Sequence, residues 1–378
     1  MNILHVVAGL PPTGGGIAET VPRLAAATAR LGHRVTIATI AGNDTPTAAA
    51  DAAAAAGVEI MRFHPSAPHF LYFSREMSRR LPELVARADV VHVHSQWTFP
   101  VWWAAQCAIE AGKPFVMSPH GCLAPVALTR SAWKKRLAGL LDRRCLRQAA
   151  AIHATSDAER QWIEHYLGSH PRIDVIPNGV DVLGPKPPPE PGNRTRRALF
   201  LGRLHPIKGL DLLLEAWGIA NRDATASNAW ELVIAGPDEQ GTQTLLERQA
   251  RRLGLSTVRF AGPVYGHDKA RAFRDADIVL VPSRSESFGI VVAEALAAGV
   301  PVITTKAAPW GEIQGSCGWW VDVAAEPIGR ALAEAMRLTD DQRAAMGARG
   351  RSLVESKYEW AIVARAMEQL YREVAGAG

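Results

Sequence analysis

The sequence predicts an α/β protein of two doubly wound, Rossmann-like domains facing each other across a cleft. Three observations carry that prediction. Short Val/Ile-rich runs alternate with helical patterns along the chain, as in parallel sheets covered on both faces. The alternation breaks once, at GPKPPPEPGNRT (Gly184–Thr195), which suits neither a helix nor a central strand, and then resumes. The 378 residues are too many for one ordinary core and suit two.

The first domain is expected over residues 1–183. ILHVVAG reads as its first strand, followed by Gly14–Gly16 and a helix over 17–31. Pro22 falls inside that helix and removes a backbone bond, which predicts a kink or a later start. HRVTIATI, VEIMRF, DVVHVHS, PFVMSPHG, AAIHATS and IDVIPNGV follow as strands, with helices between several of them. The Ala-rich stretch 48–57 reads as a short surface helix. Residues 184–195 are read as a Pro-rich linker.

The second domain is expected over 196–357, with strands ALFLGRL, WELVIAG, VRFAGPV, ADIVLVPS, PVITT and GWWVD. Helices GLDLLLEAWGIA, LLERQARRLGL and the segment after Glu286 lie between them. The tail, 358–378, reads as an amphipathic helix that crosses back to the first domain. Ligands of such sheets bind outside the carboxyl ends of the strands, which places the expected site in the cleft.

Composition excludes several classes. Lys+Arg 42 against Asp+Glu 37 gives a net charge of +5, too mild for a nucleic-acid binder, and no compact basic motif of that kind is present. The four cysteines fit no zinc spacing and read as reduced core thiols in a reducing compartment. The first apolar run has no basic lead-in and reads as a strand rather than a signal peptide. No apolar run is long enough to span a bilayer. The expected location is the cytoplasm, with a peripheral seat on the inner face of the cytoplasmic membrane as the second option.

The segment SRSESFGIVVAEALAAGVPVI (Ser283–Ile303) is almost entirely small and apolar, yet it holds Glu286 and Glu294. Buried carboxylates are costly unless paired, so these two either face solvent or grip a polar ligand. The helix is expected to begin near Ser287–Gly289 and to end at Gly299 and Pro301. Eight helical positions separate the glutamates by roughly 12 Å, which disfavours a glycosidase pair. A helix N-terminus between two carboxylates suits a nucleotide-sugar: amides for the diphosphate, carboxylates for the hydroxyls.

On these residues the chain resembles the retaining family 4 glycosyltransferases, whose fold is GT-B and whose Glu-x7-Glu motif matches Glu286 and Glu294. GGGIAETVPRLAAATARLGHRVTI, SPHG, VIPNGVD and LGRLHPIKGLDLLLEAW resemble four further landmarks of that family, in the same order. The resemblance implies a metal-independent, retaining hexosyltransferase. It implies that Arg203 and Lys208 offset charge on the leaving diphosphate. Glu294 would hold ribose hydroxyls and Glu286 donor-sugar hydroxyls. Phe288 and Gly289 would offer backbone amides, and His120 would contact the donor sugar. Gly14, Gly15 and Gly16 would let the backbone approach the donor, and Pro263 and Val264 would line the base. Each has a plainer reading as well: surface charge for Arg203 and Lys208, a flexible turn for the glycines, a structural ring for His120.

No cofactor or metal is expected. Asp275-x-Asp277 reads as a surface turn, and His92 and His94 have ligand-like spacing but no apparent third partner. Thr129–Ala149 reads either as a basic amphipathic helix for a membrane surface or as an ordinary packed helix. The expected partners are a GDP- or UDP-sugar and a saccharide acceptor, lipid-linked, as in bacterial exopolysaccharide or O-antigen assembly. The other readings are a nucleotide-sugar epimerase on a similar fold and a non-catalytic binding subunit.

Overall fold

The computed structural model describes residues 1–376 except 12–15, 43–46, 130–131, 171, 183, 185–194, 223–229 and 239–240; the side chains of 132–137 and 222 also lie outside the description. Two compact units emerge, Met1–Gly179 with Trp360–Gly378, and Val180–Glu359. The chain therefore enters the second unit at Val180 and returns at Trp360, and most of the expected linker lies outside the described residues.

The first unit is built on a seven-stranded sheet: β1 (Asn2–Val7), β2 (Arg34–Ile40), β3 (Glu59–Phe63), β4 (Val90–His94), β5 (Phe115–Ser118), β6 (Ala151–Ala154) and β7 (Ile173–Val175). Their order is β3-β2-β1-β4-β5-β6-β7. Every pairing is parallel. Both faces are covered, so alternate residues of a strand enter different cores. Ile3 and Val7 pack with Val21 and Met367 on one side, Leu4 and Val6 with Met77 and Leu81 on the other. This is why the strands read as continuous apolar runs.

Pro22 is accommodated inside the helix Gly16–Arg30, which starts ahead of it. The C-terminal helix, Trp360–Gly376, buries Trp360, Val363, Met367, Leu370, Tyr371 and Val374, the three-four spacing of a single stripe. Gly179 makes room for it: a Cβ there would lie 2.3 Å from the Trp360 ring.

The second unit holds six strands: β8 (Arg196–Leu201), β9 (Trp230–Ala235), β10 (Val258–Gly262), β11 (Ile278–Val281), β12 (Val302–Thr305) and β13 (Gly318–Val321). Their order is β10-β9-β8-β11-β12-β13, all parallel. Strand order reverses between β8 and β11, as it does between β1 and β4 in the first unit. At such a reversal the flanking connections part to opposite faces and leave a crevice at the strand ends. No helix among the described residues is long and apolar enough to cross a membrane.

Candidate functional site

The switch point of the second unit gathers the expected charged residues. Arg203 is exposed two positions beyond β8, and Lys208 ends a 3-10 turn, Pro206–Lys208. Gly209 then adopts φ 67°, and a Cβ there would fall 2.1 Å from the Pro282 carbonyl oxygen, so only glycine lets this loop touch the end of β11. Beyond β11, Ser283 and Glu286 face it. Lys208 Nζ donates to Glu286 Oε1 at 2.6 Å, and Ser283 Oγ donates to the same oxygen at 2.7 Å. Arg284 stitches the loops together, donating to both Asp211 oxygens at 2.7 Å and to the Pro206 carbonyl at 2.9 Å. Its guanidinium holds the Asp211 carboxyl below its usual range.

The following helix spans Ile290–Ala297, one residue later than the latest expected start, because Gly289 (φ 81°) is its left-handed cap. Its first amides have no partner within the helix, the ordinary condition of a helix N-terminus. Glu294 lies on its second turn. Lys269 Nζ donates to Glu294 Oε1 at 2.6 Å, while Glu294 Oε2 is buried and has no hydrogen-bond partner. Phe288 is buried, and its carbonyl accepts from Trp310 Nε1 at 2.6 Å. Trp310 thus props the turn from below, packed on Phe288 and Tyr358. That gives the Pro309-Trp310-Gly311-Glu312 sequence a structural task. Pro263 and Val264 follow directly on β10; Pro263 is exposed and Val264 half-buried.

Gly14 and Gly15 lie outside the described residues, and Gly16 is the first residue of its helix. His120, also in the first unit, is half-buried two residues beyond β5, at φ 51°. Its turn is held by Glu159, a buried carboxylate that accepts from the amides of Gly121 and Thr155 and from the Thr155 hydroxyl. Burial pushes the Glu159 carboxyl up, against those hydrogen bonds.

Behind His120 lies a cluster of buried histidines. His94 Nδ1 is 3.0 Å from His120 Nε2, and His94 Nε2 is 2.8 Å from His5 Nδ1. His92 lies between Tyr371 and Ser118 at 2.6 Å each, and Ser118 bonds His153 at 2.6 Å. Burial lowers every one of these imidazoles: His5 and His120 to about 3, His153 to about 4, His92 and His94 well below the usual value.

Two expectations need correction. His92 and His94 do have a third neighbour, His5, paired in register with His92 across the β1–β4 ladder, and ligand atoms of the three lie within 4.8 Å of one another. Asp277 is not on a surface turn: it is buried and accepts the Arg197 amide at 2.8 Å, capping the start of β8. Sequence reasoning also missed Lys269, Ser283 and Glu159. Only their partners identify them: Glu294 lies 25 residues from Lys269 and Gly121 lies 38 from Glu159, while Ser283 reaches Glu286 within its own loop.

Comparison with known proteins fits this arrangement. The family model "Glycosyltransferase Family 4" matches residues 14–182, and "Glycosyl transferases group 1" matches 187–353. A D-inositol 3-phosphate glycosyltransferase from Frankia alni is 34% identical over 237 residues, 57% of this chain and 56% of the relative. A second, from Kineococcus radiotolerans, is 31% identical over 315 residues, 75% of this chain and 71% of the relative. The chain thus spans little more than half the length of most of the curated relatives it matches. Among solved structures, sucrose-phosphate synthase from Thermosynechococcus elongatus aligns over 100% of both chains, with TM-score 0.77 and 20% identity. Anabaena Alr3699/HepE in complex with UDP-glucose aligns over 99% of this chain and 100% of that one, with TM-score 0.77 and 19% identity. These likenesses give the fold as GT-B, two Rossmann-like domains.

Proposed function

We propose that this chain, which belongs to glycosyltransferase family 4, transfers a hexosyl group from a UDP- or GDP-sugar to an acceptor hydroxyl, with retention and without a metal. The observation that carries this reading is Glu294. A half-buried carboxylate with one oxygen held by Lys269 and the other, itself out of contact with solvent, without a partner is a site for a hydroxyl donor, and a ribose offers two.

The rest of the switch point fits the same ligand. Lys208, Arg203 and the free amides at Gly289–Val291 supply positive potential where a diphosphate would lie. Glu286, pre-oriented by Ser283, suits the sugar hydroxyls. In the reaction the acceptor oxygen bonds to the anomeric carbon on the face from which the nucleotide leaves. The bond from that carbon to the phosphate oxygen breaks, and the departing phosphate takes the acceptor's proton. Arg203 and Lys208 stabilise the charge that grows on that phosphate. These cations are the basis for expecting no metal.

The acceptor we favour is a lipid-linked saccharide, as in exopolysaccharide or O-antigen assembly. Leu140 and Leu141 are 77% and 51% exposed on the helix that carries Arg143, Arg144 and Arg147, a surface suited to an anionic membrane from the cytoplasmic side. The relatives' printed names favour a second acceptor, an inositol phosphate.

The test is nucleotide release from a panel of UDP-, GDP- and ADP-sugars, with polyprenyl-linked saccharides or D-inositol 3-phosphate, with and without chelator. Acceptor-stimulated release from one donor, lost in Lys208→Ala, weakened at low donor concentration in Glu294→Ala and unchanged by chelator, is expected. Turnover of a nucleotide-sugar to its epimer without acceptor, or binding with no turnover, would favour the rival readings. Failure to bind any nucleotide-sugar would refute the assignment.

A further inference from the structure

The buried histidines divide into two hydrogen-bonded lines, and each line fixes where its protons sit. In the first, His153 Nε2 lies 2.8 Å from the Ile176 carbonyl oxygen, which only accepts, so Nε2 carries the proton. The neutral ring must then accept at Nδ1 from the Ser118 hydroxyl. Ser118 in turn accepts from His92 Nε2–H, and His92 Nδ1 accepts from the Tyr371 hydroxyl. Every atom is satisfied in this one sense. His92 has no lone pair left over, which removes it as a ligand for an ion shared with His5 and His94.

The second line is His5, His94, His120. Its buried end, His5 Nε2, has no partner. Two senses are open: protons on every Nε2, or protons on every Nδ1. The first leaves an unpaired N–H inside the protein and the second leaves an unpaired lone pair. Orphaned buried donors are the rarer of the two. The favoured sense therefore runs outward: His5 Nδ1–H donates to His94 Nε2, and His94 Nδ1–H donates to His120 Nε2.

We propose that His5 and His94 are positioning residues that lock His120 in its neutral Nδ1–H tautomer, so that His120 meets its ligand as a hydrogen-bond donor to an oxygen and not as a base. This rests on the assignment of His120 to the donor sugar. The ring is half-buried, and its Nδ1 has no protein partner among the described residues. A hydroxyl or phosphate oxygen of the donor is the group such an N–H would hold. The acceptor's proton would then have to leave by the phosphate, as in the reaction above.

Histidine-labelled protein, with His120 assigned by the loss of its signals in His120→Gln, gives the test. Two-bond proton–nitrogen correlation spectra separate the two neutral tautomers directly. A proton on Nδ1 of His120, held from pH 8 to pH 6, is expected for the full chain without ligand. In His94→Leu the Nε2 partner is gone, so His120 should become a mixture of tautomers and turnover should fall about tenfold, the effect of one misdirected hydrogen bond. A proton on Nε2 of His120 in the unaltered protein would overturn the lock, whatever the activity. An Nδ1–H signal that no turned-over sugar donor shifts would instead overturn the assignment of His120 to the donor. The spectrum of the unaltered protein decides the first point even where His94→Leu does not fold.

Discussion

Acidifying the protein from pH 7.5 to 5.5 charges the histidines of the unfolded chain while the buried ones stay neutral. His5, His92, His94 and His153 are each 3% exposed or less. Burial holds His5 at about 3 and His153 at about 4, with His92 and His94 also well below the usual value. Unfolded, each titrates near 6.5. Below that pH the unfolded state binds more protons, so the stability these groups contribute is complete above about pH 6.5 and is lost as pH falls toward the folded values. Over this interval each group costs about 1.4 kcal/mol, and four cost about 5 kcal/mol. Glu159 works in the opposite sense, because burial raises its carboxyl and the fold takes up its proton more readily; four groups outweigh one. With a urea slope of about 2–3 kcal/mol/M, the midpoint of the first unit should fall by roughly 2 M. The second unit is an internal control, since its described residues include no buried histidine. Urea titrations at both pH values and fixed ionic strength, read by resolved resonances from each unit, measure the effect. A loss below about 1 kcal/mol in the first unit, or an equal loss in both, would refute neutral burial of the cluster.

Lys208→Ala should lower turnover by about 100-fold or more, the scale of removing one preorganised charge at a leaving group, with Glu286→Gln lowered in parallel; single-turnover rates check both. Glu294→Ala should act mainly on KM for the nucleotide-sugar, with Lys269→Met weaker in the same direction; isothermal titration with the bare nucleotide isolates the ribose contact. Trp310→Phe keeps the apolar packing but leaves the Phe288 carbonyl without its donor, which should cost about 1–3 kcal/mol and lower the thermal midpoint of the second unit while leaving the first unchanged.

How much of this was legible in the sequence depended on whether a feature is local. All thirteen strands among the described residues overlap the runs read as strands, β1 and β8 starting one and two residues ahead of theirs, because doubly buried parallel strands write themselves as Val/Ile-rich segments. Glu286 in a loop and Glu294 on a helix also followed from local signals, with the start displaced to Ile290 by the cap at Gly289. Pro22 suggested a disturbed helix, yet the helix runs from Gly16 through it to Arg30. Lys269 was invisible because it is tied to Glu294 only across 25 residues of chain. His5 was hidden for the same reason. In ILHVVAG it is one polar residue in an apolar strand, and only the β1–β4 register sets it against His92. Asp277 misled because a hydrophilic turn and a buried strand cap share the same short sequence.

The two lysine–carboxylate pairs, Lys208 with Glu286 and Lys269 with Glu294, make the crevice nearly self-neutral. A small anion such as inorganic phosphate can draw a lysine away only by stranding a half-buried carboxylate, a costly exchange. Under the proposed function, a nucleotide-sugar would bring both halves of the trade: phosphates for the lysines and hydroxyls for the glutamates. Under that reading the pairs would act as a filter, rewarding ligands that are at once anionic and rich in hydroxyls and turning away those that are only anionic.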